Sequence, residues 1–403
     1  MLRRQLPAYS PLSAAALGRA AGYGLGSGLN GHVDLSATLE GEYSAERVVL
    51  FGSGTQALQV ALVLAMRQVA DASVALPAFG CFDVASAAVG ARARIQFYDL
   101  EPSTLTPDLN SLRGVLERGT RIAVITPLYG FPVDWDAVND LLAQYGAIAV
   151  EDAAQGDHAE WRGRPLGSLG PISVLSFGRG KGWTGGRGGA VLVRHEASWR
   201  GLREALTEMS EGRRQRGAEL RVLGVLLAQW LLGRPAWYAI PRAIPWLRLG
   251  ETIYREPTSP RPMTQAASAC LATSQAATAR EAAVRRATAR AILEGIGSGS
   301  RARPVQPLLG ATPGYLRLPL RLVRGLAGFG KPAAATRLGL APSYPSVLAA
   351  IPQVRAWTDD AATGWPGGAE LARTLFTAPT HSLVTVADRA ELIRLLRTYE
   401  RGT

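Results

Sequence analysis

At 403 residues, 47% of them hydrophobic and 19% charged, the chain is long enough to bury a large core and is neither disordered nor fibrous. Its net charge of +12 and isoelectric point near 10.3 favour anionic partners: a phosphorylated cofactor, a nucleotide-linked substrate or an acidic membrane surface. No zinc-finger spacing or aromatic-basic RNA signature accompanies the charge, so nucleic acid is not an expected partner. Two distant cysteines, Cys81 and Cys270, imply neither a disulfide framework nor a metal site. That cysteine usage, with Pro7, Ser10, Pro11 and Ser13 breaking any apolar run after the basic start, points to a cytoplasmic protein.

Residues 1–28 read as an N-terminal arm, a short Ala/Leu-rich helix running into Gly24, Gly26 and Gly28. A strand is expected over Arg47–Phe51, then the turn Gly52-Ser53-Gly54-Thr55 and an apolar helix over 56–70. A strand, a glycine turn and a helix start together make an anion site, because free backbone N–H groups and the helix dipole converge there. The turn has neither the Gly-x-Gly-x-x-Gly spacing of dinucleotide folds nor the Gly-Lys-Ser/Thr of P-loops, and alone it is equally readable as a plain turn. Strands at 74–76, 95–98, 122–126 and 147–150 then alternate with helices at 82–89, 109–116 and 137–145. This rhythm predicts an α/β fold with an open, mostly parallel sheet covered on both faces, and ligands beyond the carboxyl ends of its strands. The turn at 52–55, Pro77-Ala78-Phe79 and Glu151-Asp152-Ala153-Ala154-Gln155 fall at those ends. Glu151 and Asp152 are neighbours at a strand end, so only one of them faces the cleft. Asp152 there suits either a protonated ring nitrogen or a helix cap.

Residues 174–191 hold Lys181 among seven glycines, between two apolar runs. Only two of the 44 basic residues are lysine, Lys181 and Lys331. Where charge suffices, this chain uses arginine. A lysine kept here is wanted for an amine that can lose its proton and attack a carbonyl, which points to Schiff-base chemistry. The alternative on this stretch alone is a solvated lysine in a glycine-rich turn.

Taken in order, Gly52-Ser53-Gly54-Thr55-Gln56-Ala57-Leu58, Leu76-Pro77-Ala78-Phe79, Leu128-Tyr129-Gly130, Glu151-Asp152-Ala153-Ala154-Gln155 and Ser176-Phe177-x-x-x-Lys181 resemble the DegT/DnrJ/StrS family of PLP-dependent sugar aminotransferases. The resemblance covers residues 40–195 well and the rest loosely, through Pro379-Thr380-His381. It implies the aspartate aminotransferase-like fold type I, with a large PLP-binding domain at 29–255 and a smaller C-terminal α/β domain at 256–403. It further implies that Lys181 bonds pyridoxal 5'-phosphate and later moves protons at the substrate carbon. Ser176, Gly54, Thr55 and Gln56 would bind the phosphate, Asp152 the pyridine nitrogen and Gln155 the ring oxygen. Phe79 would stack on the ring, or else serve the apolar core. The reaction so implied passes an amino group from an amino-acid donor, L-glutamate, to a keto-sugar, often nucleotide-linked, in polysaccharide or secondary-metabolite biosynthesis, the enzyme acting as a homodimer. Gly182 and Arg187 depart from the family's Asn after the lysine and Glu before the last Gly-Gly. Rival readings are a PLP-dependent lyase, dehydratase or condensing enzyme, and a non-catalytic regulatory or membrane-peripheral relative.

The second half turns helical. Residues 220–232 form its most apolar helix, too short for the ~20 residues that span a bilayer. The Trp/Arg-rich stretch at 220–246 suits either an acidic membrane surface or interface packing. A hinge is expected at 257–262, a long helix over 264–293 and apolar stretches near 315–318 and 383–386. His32, His158, His195 and His381 form no cluster; His158 reads either as a substrate contact or as a surface residue.

Overall fold

A computed structural model describes residues 3–26, 31–69, 73–195, 216–238, 252–360 and 364–400. The chain opens with helices α1 (Ala14–Leu25) and α2 (Gly31–Glu42) and then enters the alternating region. There the elements are β1 (Arg47–Phe51), α3 (Gly54–Met66), β2 (Ser73–Pro77), α4 (Phe82–Gly90), β3 (Arg94–Tyr98), α5 (Leu109–Glu117) and β4 (Ile122–Ile125). They continue as α6 (Trp135–Gln144), β5 (Ile148–Asp152), the short β6 (Glu160–Trp161) and β7 (Arg164–Pro165), β8 (Ile172–Ser176) and β9 (Gly189–Val193). Seven strands form one sheet in the order β1-β9-β8-β5-β4-β2-β3. Strands β3, β2, β4, β5 and β8 pair in parallel, while β9 runs antiparallel between β1 and β8.

Alternate residues of these strands serve opposite faces, as the pleat requires. Ala123, Ile125, Ala149, Leu175 and Leu192 enter one core, whereas Ile122, Val124, Val150, Val174 and Val191 enter the other. A sheet buried on both sides explains why the strands read as unbroken apolar runs.

The second half supplies α7 (Arg216–Leu232), α8 (Gln265–Ile296) and a four-stranded antiparallel sheet in the order β10-β12-β14-β13. Its strands are β10 (Arg303–Pro304), β12 (Leu318–Arg321), β13 (Ala341–Pro342) and β14 (Leu375–Ala378); β11 (Ala311–Thr312) instead joins β6 in a small sheet. Helices α9 (Pro332–Arg337), α10 (Pro366–Thr374) and α11 (Val386–Arg397) complete the chain. Helix α8 starts in the core of the large sheet, through Ala266, Cys270 and Leu271, and ends in the core of the small one, through Ile292 and Ile296. Its first N–H groups, from Gln265 and Ala266, are capped by the buried Glu219 carboxylate of α7 at 2.9 and 3.0 Å.

Two expectations change here, and one helix is new. The stretch expected as a hinge is fastened to the large sheet: Gly52 N donates to Arg261 O, and Gln56 Nε2 to Thr258 Oγ1 and Ser259 O. The apolar stretch at 383–386 leads into α11, which Thr385 and Asp388 open with a reciprocal capping box. Helix α2 had no sequence signal. Of the Trp/Arg stretch, residues 239–246 lie outside the described residues, and no described helix is long and apolar enough to cross a membrane.

The arm at residues 3–10 is clasped by the C-terminal half. Arg3 forks onto Asp388, Gln5 donates to Leu383 O and Asp388, and the His381 ring nitrogen Nε2 lies 2.9 Å from Leu6 O. Burial pushes His381 down to about 4 from 6.5, so the neutral ring donates to the arm. Below pH 6.5 the unfolded chain takes up a proton that the folded chain refuses until about pH 4. Stability is therefore lost as pH falls through this window, by roughly 3 kcal/mol at the acid end. Thermal unfolding of wild type and His381→Gln at pH 7 and pH 4.5 checks this: the variant is expected to lose less stability on acidification.

Candidate active site

The turn after β1 places Ser53 as the cap of α3, its Oγ accepting from Gln56 N at 3.2 Å. Gly54 then passes so close to β8 that a Cβ on it would lie 2.6 Å from Ser176, and a Cβ on Gly189 would lie 2.6 Å from Gly54 itself. Only hydrogen fits at either position. The N-terminus of α3 is thereby pressed against the end of β8 and the start of the Lys181 loop. The cleft that results is lined by Gly54, Thr55, Cys81, Asp152, Gln155, Ser176 and Lys181, with Leu58, Asp83, Val84 and Ala154 filling in.

The paired carboxylates at the end of β5 divide as strand geometry requires. Glu151 is fully buried and turns away from the cleft, accepting from Gly167 N, Leu169 N, Gly170 N and Ser173 Oγ at 2.6 to 3.0 Å. Asp152 turns into it, with Oδ1 accepting from Ala154 N at 3.2 Å. Burial raises the Asp152 carboxyl, and the nearby Lys181 charge pulls it back in part. A buried carboxylate with few donors of its own is what a buried cation would find here.

Gln155 is held on both sides. Its Oε1 accepts from Tyr129 N at 3.1 Å and its Nε2 donates to Tyr344 Oη at 3.0 Å, leaving one N–H for a ligand. Tyr129 has φ +57°, stacks on Tyr344 and bonds through its hydroxyl to Ser343. Tyr344 thus carries the C-terminal half to the cleft. No sequence signal marked it.

Two candidates are not brought to the cleft. Gln56 directs its side chain to Thr258, Ser259 and Arg261, because the α3 turn leaves it on the opposite side from Ser176. Phe79 is 0% exposed and packs edge-on against Tyr344, so it serves the core. Cys81, two residues on, lines the cleft in its place as a neutral thiol pushed up to about 12 by burial. His158 lies 3.4 Å from Thr278 Oγ1, outside the cleft, and no group of three metal-ligating side chains occurs among the described residues.

Glu151 and Asp152 make a controlled comparison. Glu151→Gln confronts three backbone N–H groups with an amide and is expected to cost about 2–4 kcal/mol. Asp152→Asn, facing the cleft, should cost well under half of that; urea denaturation of both variants measures the difference.

Comparison with known proteins fits this geometry. Residues 36–225 match the family model described as the DegT/DnrJ/EryC1/StrS aminotransferase family. The L-glutamine:2-deoxy-scyllo-inosose aminotransferase of Streptoalloteichus tenebrarius is 34% identical over 141 residues, 35% of this chain and 33% of that protein. The chain thus spans about a third of the length of the curated relatives it matches. Structural likeness runs further: the sugar aminotransferase CalS13 of Micromonospora echinospora superposes with a TM-score of 0.75 at 21% identity, covering 99% of this chain and all of that one. Spr1654 of Streptococcus pneumoniae, solved in a PLP-form, gives 0.73 at 16% identity over 98% of each chain. These likenesses show the fold, the α/β architecture with a large, mostly parallel sheet expected from the sequence. Every cleft residue from Gly54 to Lys181 lies inside the stretch that matches the model of the DegT/DnrJ/EryC1/StrS aminotransferase family.

Proposed function

We propose that this chain is a PLP-dependent aminotransferase that moves an amino group from an amino-acid donor to a keto-sugar, nucleotide-linked, in secondary-metabolite biosynthesis. One observation carries the reading: the Lys181 amine shares a cleft with a buried carboxylate, Asp152, and with a hydroxyl-flanked helix N-terminus. That donor set fits the cofactor at each end. Lys181 would hold the aldehyde carbon and shuttle the proton at the substrate carbon. Asp152 would face the ring nitrogen and keep it protonated, the remaining N–H of Gln155 would reach the ring oxygen, and the Gly54 and Thr55 N–H groups with Ser176 would hold the phosphate. When bound, PLP supplies the electron sink that lets the substrate C–H bond ionise.

The donor is proposed as L-glutamine, for which the inosose aminotransferase relative is named, in place of the L-glutamate expected from sequence. A second pocket adjoins the Lys181 loop, between the arm and α7, and is lined by Leu6, Tyr9, Arg179, Gly180, Val225 and Arg317 among others. Neither arginine has a carboxylate partner among the described residues. Two such cations in a pocket that reaches the Lys181 loop at Arg179 and Gly180 support an acceptor that carries phosphate. Leu220, Leu227 and Leu231 leave an exposed apolar stripe on α7, which supports assembly as a homodimer.

The test is the absorption spectrum of PLP-loaded protein before and after L-glutamine, with L-glutamate alongside. Loss of the visible band with growth of the near-ultraviolet band is expected; persistence with both donors refutes transamination. Lys181→Ala should give no borohydride-reducible adduct with PLP. Asp152→Asn should still bind PLP and lose about 100-fold or more in turnover.

A further inference from the structure

Lys181 sits on a loop whose neighbours are set from outside it. Gly182, the next residue, has φ +83°, and a Cβ there would lie 2.1 Å from Asp157 Oδ2 and 2.5 Å from its Cγ. The Asp157 carboxylate therefore occupies the volume that a side chain at 182 would need. It also lines a small pocket with Lys181, Ser176, Phe177, Tyr43 and Trp183. Asp157 does not stand there alone. Arg285, midway along α8 and 1% exposed, donates from Nη2 to Asp157 Oδ2 at 2.7 Å and to Asp157 O at 3.1 Å. Its Nε donates to Gly314 O at 3.1 Å. The same helix holds the far side of the loop, since Trp183 Nε1 donates to Leu271 O and Ser274 Oγ.

A buried ion pair is a poor way to gain stability, because removing two charges from water cancels much of their attraction. Its value lies in fixing geometry, here at the one residue that must aim an amine. We propose that the Arg285–Asp157 pair is the positioning device for Lys181: it walls the loop at Gly182, replaces a side chain on residue 182, and holds the amine towards the cleft from helix α8. Gly182 is then a consequence of Asp157. Either a carboxylate from 157 or a side chain from 182 can fill that space, and both together cannot.

This inference rests on the role proposed for Lys181, and the experiment separates the two. Wild type, Asp157→Ala, Gly182→Asn, the double variant and Arg285→Lys are loaded with PLP. Asparagine is chosen at 182 because it tolerates positive φ. The readouts are the PLP dissociation constant, the circular dichroism of the visible band, which reports how the bound ring is held, and the thermal midpoint of the apo protein. If wild type forms no borohydride-reducible adduct, the reading of Lys181 fails first. With that adduct present, each single substitution is expected to weaken PLP binding about tenfold or more and to reduce the visible dichroism. The double variant should recover to within about threefold of wild type, a clear departure from additivity. Arg285→Lys keeps the charge but loses the fork, and should shift the visible dichroism while keeping the apo protein folded. Multiplicative effects in the double variant would overturn the proposal. So would variants that lower the thermal midpoint yet leave dichroism and PLP affinity at wild-type values. Should Gly182→Asn fail to fold, Asp157→Ala and Arg285→Lys decide by the same dichroism readout.

Discussion

The contact among Gly54, Ser176 and Gly189 is the constraint on which the site depends. Strand β9 lies between β1 and β8 and runs against both, so the turn leaving β1 and the end of β8 sit on one side of the sheet, a single strand apart. Hydrogen in place of side chains at 54 and 189 lets the backbones close that gap. The start of α3 then delivers its N–H groups to the same opening as Ser176, and the loop from β8 back to β9 carries Lys181 over it. Had β9 been inserted elsewhere in the sheet, the helix dipole and the lysine would serve separate places.

The second organising feature is the division of charge at β5. Two adjacent carboxylates meet opposite fates: Glu151 spends its charge on the 167–173 segment, and Asp152 keeps its charge for the cleft. Arg194 reinforces the first by bonding Gly167 O, Gly170 O, Ser173 Oγ and Tyr43 O. The Glu151 and Arg194 bonds brace the end of β5, where Asp152 is buried against the cleft. Framework and reactivity thus come from one pair of neighbours, separated by the pleat.

What the sequence disclosed and what it hid follow from range. Strands from β1 to β5 were legible because each is a short apolar run buried on two faces, and helices α3 to α6 because caps or turns bracket them. Helix α2 was hidden: Gly31, Asp34, Ser36 and Thr38 are weak helix formers, and packing on α8 and β1 holds it. The strands of the second sheet are two to four residues long, below what periodicity can register. Within the site, position along the chain was legible and side-chain direction was not. Gln56 and Phe79 lie in the right motifs yet point to the 258–261 segment and the core. Tyr344 and the Arg285–Asp157 pair escaped notice because their meaning depends on partners distant in sequence, 189 residues for Tyr344 and Gln155 and 128 for Arg285 and Asp157.

That same split bears on chemistry and specificity. Residues that would hold the cofactor lie between 54 and 181, inside the stretch that matches the family. The groups that wall the cleft and its neighbour from outside, Tyr344, Ser343, Arg317 and Arg285, come from the half beyond it. Tyr344 is the hinge between the two: its hydroxyl takes the Gln155 N–H that would otherwise be free, and its ring covers Phe79. Movement of the C-terminal half would therefore change how Gln155 is presented to the cleft.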